Sequence, residues 1–331
     1  MIKRLAAALG AAVLALTLVQ PAQADTKYNL VLGGASPGGL WSLLGAGIDK
    51  AMKAAYPGST VTYQTSGGGF ANIKLLSDKT VQMGIVHDAE LKIANEGGPP
   101  LNAVNKDLRA IAYLYRWAPM HLIATKEAAD KYGLKTLADI AAKKAPLRIA
   151  VNRRGNVAAD VAVAALAAGG VTEAALKGWG GSLVYAASKE QSELILNRRV
   201  DVLFNSLFVR HRSLRKIDES IDVVILGLSG GVIDKVNASS GTTPFTIKGG
   251  SYKNQPGDVT TMTLGAELVV DASMSAADAY NITKALVDNV DKISGIHKAM
   301  NALDTKLMAG QKVVPYHPGA EKYYREVGLI K

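Results

Sequence analysis

Four short stretches of the 331-residue chain gather residue types with chemical use. Ser36, Gly38 and Gly39 lie in "GGASPGG", and Gly67, Gly68 and Gly69 in "TSGGGF". His87 and Asp88 end "VQMGIVHD", while Arg153, Arg154 and Asn156 fall in "VNRRGNVAAD". Both glycine-rich stretches follow a strand-like run and precede apolar residues at helical spacing. Glycine permits close backbone approach, and a helix N-terminus presents unpaired N–H groups at the positive end of its dipole. Together they can cradle an anion. The ordinary alternative is a pair of tight strand-to-helix turns with nothing bound. His87 and Asp88, at a strand end, suit either ligand contact or a hydrogen-bonded structural histidine. Trp41, Phe208 and Tyr252 are candidate pocket walls, Asn72 and Asn205 candidate polar contacts.

Other chemistries are weaker on the same reading. "GLSGG" fits the G-x-S-x-G nucleophile pattern at Ser229, with Asp271 and His297 or His317 further on. A nucleophile elbow must feed a substantial helix, and "VIDKVNASSGTTPF" reads as turn residues within two helical turns. The five histidines are scattered without an H-x-x-x-H spacing, so no metal site is expected. The absence of cysteine excludes disulfides, thiolate nucleophiles and Cys-ligated metal.

These residues need a frame. "YNLVLGG", "VTYQT" and "VQMGIVHD" alternate with helical runs as β-α-β-α-β, which implies a parallel sheet with ligand loops at the strand C-termini. "LRAIAYLYRWAPMHLIAT" is long and apolar with Pro119 in its middle, as a strand leaving one sheet for another would be. The pattern restarts at "PLRIAV" and continues through "VDVLFNSLF" and "IDVVILGL". A Gly/Thr/Pro-rich loop at 239–258 then leads to a second candidate crossing strand, "TTMTLGAELVV". Helices "SAADAYNITKALVDNVDKI" and "PGAEKYYREVGL" finish the chain. Pro318 suits a first helical turn and Gly328 a C-terminal stop. The fold class read is α/β with two lobes joined by two crossover strands that form a hinge. Residues 25–119 with 262–331 make one lobe and 120–261 the other, with a cleft between.

The first 24 residues read as a cleaved signal peptide: Lys3 and Arg4, an apolar run, and "AQA" ending at Ala24. Export to the periplasm is therefore expected, and no later segment reads as long and apolar enough to span a bilayer. Losing Lys3 and Arg4 takes the formal charge from +10 to +8, which favours anionic ligands or solubility. Clusters such as "RHRSLRK" read as solvated helix faces, and nucleic acid is not an expected partner.

The ordered set "GGASPGGLWSLLGAGI", "TSGGGFANIKLL", "MGIVHDAEL", "NRRVDVLFN", "AYNITKAL" and "YHPGAEKYYREVGL" resembles the TAXI-type solute receptors of tripartite ATP-independent periplasmic (TRAP) transporters. The resemblance spans nearly all of the chain after residue 24. It implies a non-enzymatic type II periplasmic binding protein, without cofactor, that closes on a small carboxylate-bearing solute. Delivery would be to membrane subunits driven by an ion gradient; a receptor for a membrane sensor would need the same hinge. Departures from the family pattern sit at Trp41 with Ser42, at Gly69 to Asn72, and at "NRRGNVAAD". In that setting Arg153 and Arg154 follow a strand's C-terminal end, and one of them is expected to enter the cleft and grip the carboxylate bidentately.

Overall fold

The computed structural model describes residues 26–310 and 312–331. The expected signal peptide, with Lys3, Arg4 and Ala24, lies outside the described residues. In chain order the elements are β1 (Asn29–Gly33), α1 (Leu40–Ala55), β2 (Thr60–Gln64), α2 (Gly69–Ser77), β3 (Met83–His87), α3 (Asp88–Glu96) and the long β4 (Leu108–Thr125). There follow α4 (Lys126–Tyr132), α5 (Leu137–Ala142), β5 (Arg148–Val151), α6 (Val157–Ala168), α7 (Glu173–Gly178), β6 (Ser182–Tyr185), α8 (Ser188–Leu196) and β7 (Val202–Ser206). Next come α9 (Arg212–Ser220), β8 (Val223–Ile225), α10 (Gly230–Ser240), β9 (Thr243–Ile247) and the second long strand β10 (Val259–Asp271). The chain closes with α11 (Ala276–Asp288), α12 (Val290–Ser294), a 3-10 turn (Lys298–Ala302), α13 (Thr305–Gly310) and α14 (Pro318–Glu326). Among the described residues no helix is long and apolar enough to cross a membrane.

The strands run in the order β2-β1-β3-β10-β4-β7-β5-β6, with β8 beside β4 and β9 beside β10. β1 pairs in parallel with β2 and β3, and β5 with β6 and β7, as right-handed crossovers through helices require. β4 and β10 are antiparallel to their neighbours and change partner part-way. β4 pairs with β10 as far as Pro119, and from Met120 onward with β7 and β8. β10 runs against β9 up to Thr263, then against β4 and β3. Proline has no ladder donor, so its place at the partner switch costs no hydrogen bond. The result is an α/β protein of two lobes sharing two long strands and packed on two apolar clusters, the larger of which runs on into the second lobe through Ile195, Phe208, Leu214 and Ile217. One core gathers Leu32, Leu44, Ile48, Ile85 and Tyr324; the other gathers Leu122, Leu147, Val161 and Phe204.

Several local expectations change. Asp88 is the first residue of α3 instead of the end of a strand, because His87 and Glu90 form an N-terminal cap there. The stretch 239–258 holds β9, whose pairing with β10 overrides its turn-rich composition. The segment after Ser229 is an 11-residue helix, α10, longer than its polar sequence suggested. The helix expected through Ile293 breaks at Asn289 into α11 and α12.

Within the first lobe one side chain ties the glycine turns together. Asn72 is fully buried, and its amide donates to the Gly34 carbonyl and the Ile85 carbonyl, both at 2.8 Å. Its Oδ1 accepts from Ser66 Oγ at 2.7 Å, and that same hydroxyl accepts from Gly68 N. Asn72 thus fixes the first turn, the second turn and the end of β3 relative to one another. Asn72→Ala is expected to lower unfolding free energy by about 2 kcal/mol, because it removes the amide donor to the buried Ile85 carbonyl while Gly34 keeps the Ser66 hydroxyl. Chemical denaturation of both proteins at one pH checks this.

Candidate functional site

A small cavity opens between the lobes. Its wall holds Ser36, Gly39, Leu40, Trp41, His87 and Tyr115 from the first lobe and the crossing strand. From the other side come Asn152, Asn156, Ala158, Ser188, Ser206 and Leu207. Leu40 and Trp41 begin α1, His87 immediately precedes α3, Ala158 lies in the first turn of α6, and Ser188 begins α8. Four helix N-termini therefore converge on one small space, and no side-chain cap closes that of α1. Among the described residues no Asp, Glu, Lys or Arg lines it. The summed dipole ends favour negative charge within their first turns.

The hydrogen-bond wiring assigns directions to the lining groups. Trp41 Nε1 donates to the Tyr115 hydroxyl at 2.8 Å, which leaves that hydroxyl's own proton for a ligand. Burial pushes the Tyr115 phenol well above its ordinary pKa, so it stays a donor. Ser188 Oγ accepts from Asn205 Nδ2 at 3.0 Å and keeps its proton in the same way. Asn156 Oδ1 caps α6 by accepting from Ala158 N at 3.0 Å, leaving its amide N–H groups as donors. Ser206 Oγ donates to the Ala118 carbonyl at 2.6 Å, and Asn152 Nδ2 to Asn205 Oδ1 at 3.1 Å. The donors left over in the lining are the Tyr115 and Ser188 hydroxyls, the Asn156 amide and the second amide hydrogen of Asn152.

Besides the Ser206 bond to Ala118, two further contacts join the lobes around it. Arg212 Nε on α9 donates to the Gly38 carbonyl at 3.1 Å. A Cβ built on Gly68 would sit 2.9 Å from Asn156 Nδ2, so the second glycine turn packs on the cap of α6.

A model of the NMT1-like family matches residues 32–328 of the chain. The chain belongs to the NMT1-like family. Among solved structures it is similar to MatC from Rhodopseudomonas palustris with bound malate, at 13% identity and a TM-score of 0.57, covering 91% of this chain and 97% of that one. It is also similar to a structure described as a periplasmic transporter, at 10% identity and a TM-score of 0.51, covering 92% and 94%. At such identities the likeness concerns the fold: this NMT1-like protein shares the two-lobed architecture of periplasmic binding proteins.

Of the residues singled out in the sequence, the NMT1-like fold brings Ser36, Gly39, Trp41, His87 and Asn156 to the cavity wall. Gly38 stands one residue outside it, under Arg212. Asn205 is a layer behind, orienting Asn152 and Ser188. Asn72 is a buried strut. Phe208 packs edge-on against Tyr115, with ring centroids 5.1 Å apart, behind the wall. Tyr252 bonds His121 Nε2 at 2.9 Å, away from the lining residues. Arg153 and Arg154 are exposed, and Arg154 stacks on the Tyr185 ring at 3.7 Å. They form the crest of a turn whose two ends, Asn152 and Asn156, face inward, so the second lobe offers amides where a guanidinium was expected.

Gly67, Gly68 and Gly69 do not line the cavity, and the reason is at Gly69. A Cβ there would fall 1.7 Å from Glu90 Oε2. The backbone at the start of α2 is thus pressed against a fully buried carboxylate of the protein itself. This turn accommodates an internal carboxyl group. Glu90, Tyr115, Asn152, Ser188 and Ser206 were not legible as site residues, although Asn152 and Ser206 sit at strand C-terminal ends, where ligand contacts concentrate. The rival nucleophile Ser229 is the N-cap residue of α10, and its proposed partners are engaged elsewhere. His297 accepts from Ala299 N, His317 accepts from Gly319 N, and Asp271 pairs with Lys79.

Asp88 lies beside the cavity, against both crossing strands. It accepts from the Tyr113 hydroxyl on β4 at 2.6 Å, and a Cβ on Gly265 of β10 would fall 2.4 Å from its Oδ2. Its Oδ1 is buried and has no protein partner. Burial raises its pKa from 3.8 to about 6. A folded-state pKa above the unfolded one means that the folded state holds the proton longer, so stability falls as pH rises from about 4 to about 6 and stays lost above that. The loss is about 3 kcal/mol. Asp88→Asn is therefore expected to raise the melting temperature at pH 8 and to change it little at pH 4, which thermal unfolding at the two pH values checks.

Proposed function

We propose that this protein is a periplasmic solute-binding protein of the TAXI type, exported by residues 1–24, which closes on a small carboxylate-bearing solute. It hands that amino acid or organic acid to the membrane subunits of a TRAP transporter. Residues 25–119 with 262–331 move against residues 120–261, the bend falling where β4 and β10 change partners near Pro119 and Thr263.

One observation carries the reading: four helix N-termini and a set of free donors face a cavity whose lining contains no carboxylate. Such a space repels cations and rewards an anion that can accept several hydrogen bonds at once. Trp41, Tyr115 and Leu207 add apolar wall for a short carbon skeleton. The match to MatC with bound malate agrees in fold with a receptor of this kind.

The test is calorimetric titration of the chain lacking residues 1–24 with acetate, pyruvate, L-lactate, succinate, L-malate and L-glutamate. At least one acid is expected to bind at one per chain and to raise the melting temperature, by about 2.7 kcal/mol of stabilisation at a hundredfold excess over Kd. Asn156→Asp keeps the cap of α6 but sets a negative charge among the donors. It should weaken the best binder at least ~100-fold without lowering unfolding stability. Binding of none of these acids, or equal affinity in Asn156→Asp, would overturn the carboxylate reading.

A further inference from the structure

Among the described residues the cavity wall contains one group able to become a cation, His87, and immediately behind it lies a buried carboxyl group, that of Glu90. His87 Nδ1 sits 3.1 Å from Glu90 Oε2, and the His87 backbone N–H donates to the same oxygen at 3.0 Å. Glu90 is fully buried, and its other oxygen, Oε1, has no partner. The imidazole lies against the Trp41 ring at 4.6 Å between centroids. With Nδ1 turned to Glu90, Nε2 is the ring nitrogen left for a ligand. Glu90, His87 and the open space thus form a line: carboxylate, imidazole, ligand.

Charge counting along that line decides what an incoming anion needs. Asp88 and Glu90 on α3 flank His87 and Tyr115 on β4 shares its wall; behind them Asp160 on α6 acts on Glu90, while Tyr113 on β4 and Glu267 on β10 act on Asp88. Every carboxylate among them is negative when ionised, and no lysine or arginine stands in the wall to offset them. A carboxylate entering beside a neutral imidazole would face the buried Glu90 charge across one ring. Helix dipole ends offset part of that repulsion; a proton on the imidazole removes it and adds a charge-assisted hydrogen bond to each side.

We propose that an anion enters this cavity together with one proton, which His87 holds between Glu90 and the bound carboxylate. The proton comes from solvent, no covalent bond forms or breaks, and release of the anion returns it. His87 is on this account a ligand-contacting residue, and Glu90 a positioning residue that fixes the imidazole and supplies the charge the proton must balance. The inference rests on the carboxylate reading and adds the linkage to pH.

Titration calorimetry of the tightest acid in the panel, with L-malate as first probe, measures proton uptake directly when repeated at pH 8 in phosphate and in Tris. The two buffers release protons with different enthalpies. The wild-type protein should take up close to one proton per anion, and its Kd should rise up to tenfold per pH unit where uptake is complete. His87→Gln, which still offers an N–H, should bind with uptake near zero and a Kd that is flat between pH 6 and 8.5. Glu90→Gln should likewise lose most of the uptake, since the charge that calls for the proton is gone. Thermal unfolding of both variants identifies any that fail to fold, and the wild-type uptake stands without them. Anion binding with no buffer-dependent enthalpy in the wild type would overturn this inference and leave the carboxylate reading in place. Uptake that persists in His87→Gln would equally overturn it. Failure of every acid to bind between pH 5.5 and 8.5 would overturn both.

Discussion

The placement of every group in the cavity follows from one constraint: β4 and β10 belong to both lobes. Because each strand changes partner part-way, the parallel strands on either side end towards the same space, and the helices that follow them begin there. Convergence of the N-termini of α1, α3, α6 and α8 is therefore a consequence of topology. It would survive many changes of side chain. The same two strands offer a natural place to bend, since a register shift at Leu264 to Glu267 already interrupts their pairing.

Local chemistry then refines what topology provides. Glycine at 69 is required because the Glu90 carboxylate occupies the position of a side chain, and glycine at 68, with φ of 121°, because the chain turns there against Asn156. Polar side chains behind the wall do not float: Asn205 holds both Asn152 and Ser188, and Asn72 holds both glycine turns. Such fully bonded networks fix donor directions before a ligand arrives, which lowers the ordering cost of binding. Full-time cations are kept outside. Arg212 reaches the cavity's rim only through the Gly38 carbonyl, and Arg154 rests on Tyr185.

Much of this was legible in the chain, for identifiable reasons. Glycine turns between a strand pattern and a helical pattern are strong local signals, and they correctly located the starts of α1 and α2. The mid-strand Pro119 marked the crossing strand, and Pro318 and Gly328 bracketed the last helix. What was not legible depended on partners distant in sequence. Tyr115 alternates like any core strand residue, and only Trp41, 74 positions away, turns its hydroxyl into a cavity donor. The arginines at 153 and 154 looked like the ligand clamp because they follow a strand end. The tight turn instead points its first and last residues, both asparagines, inward. Glu90 carried a cap signature three residues after His87, but its burial against Gly69 is a tertiary fact.

The most direct measurement of the central claim is a crystal structure of the protein with its acid bound. It should place the carboxylate oxygens within hydrogen-bond distance of Asn156 Nδ2, the Tyr115 hydroxyl and Ser188 Oγ, with His87 Nε2 on one of them. A carboxylate seated instead on Arg153 or Arg212 outside the cavity, with only water among the helix N-termini, would contradict it.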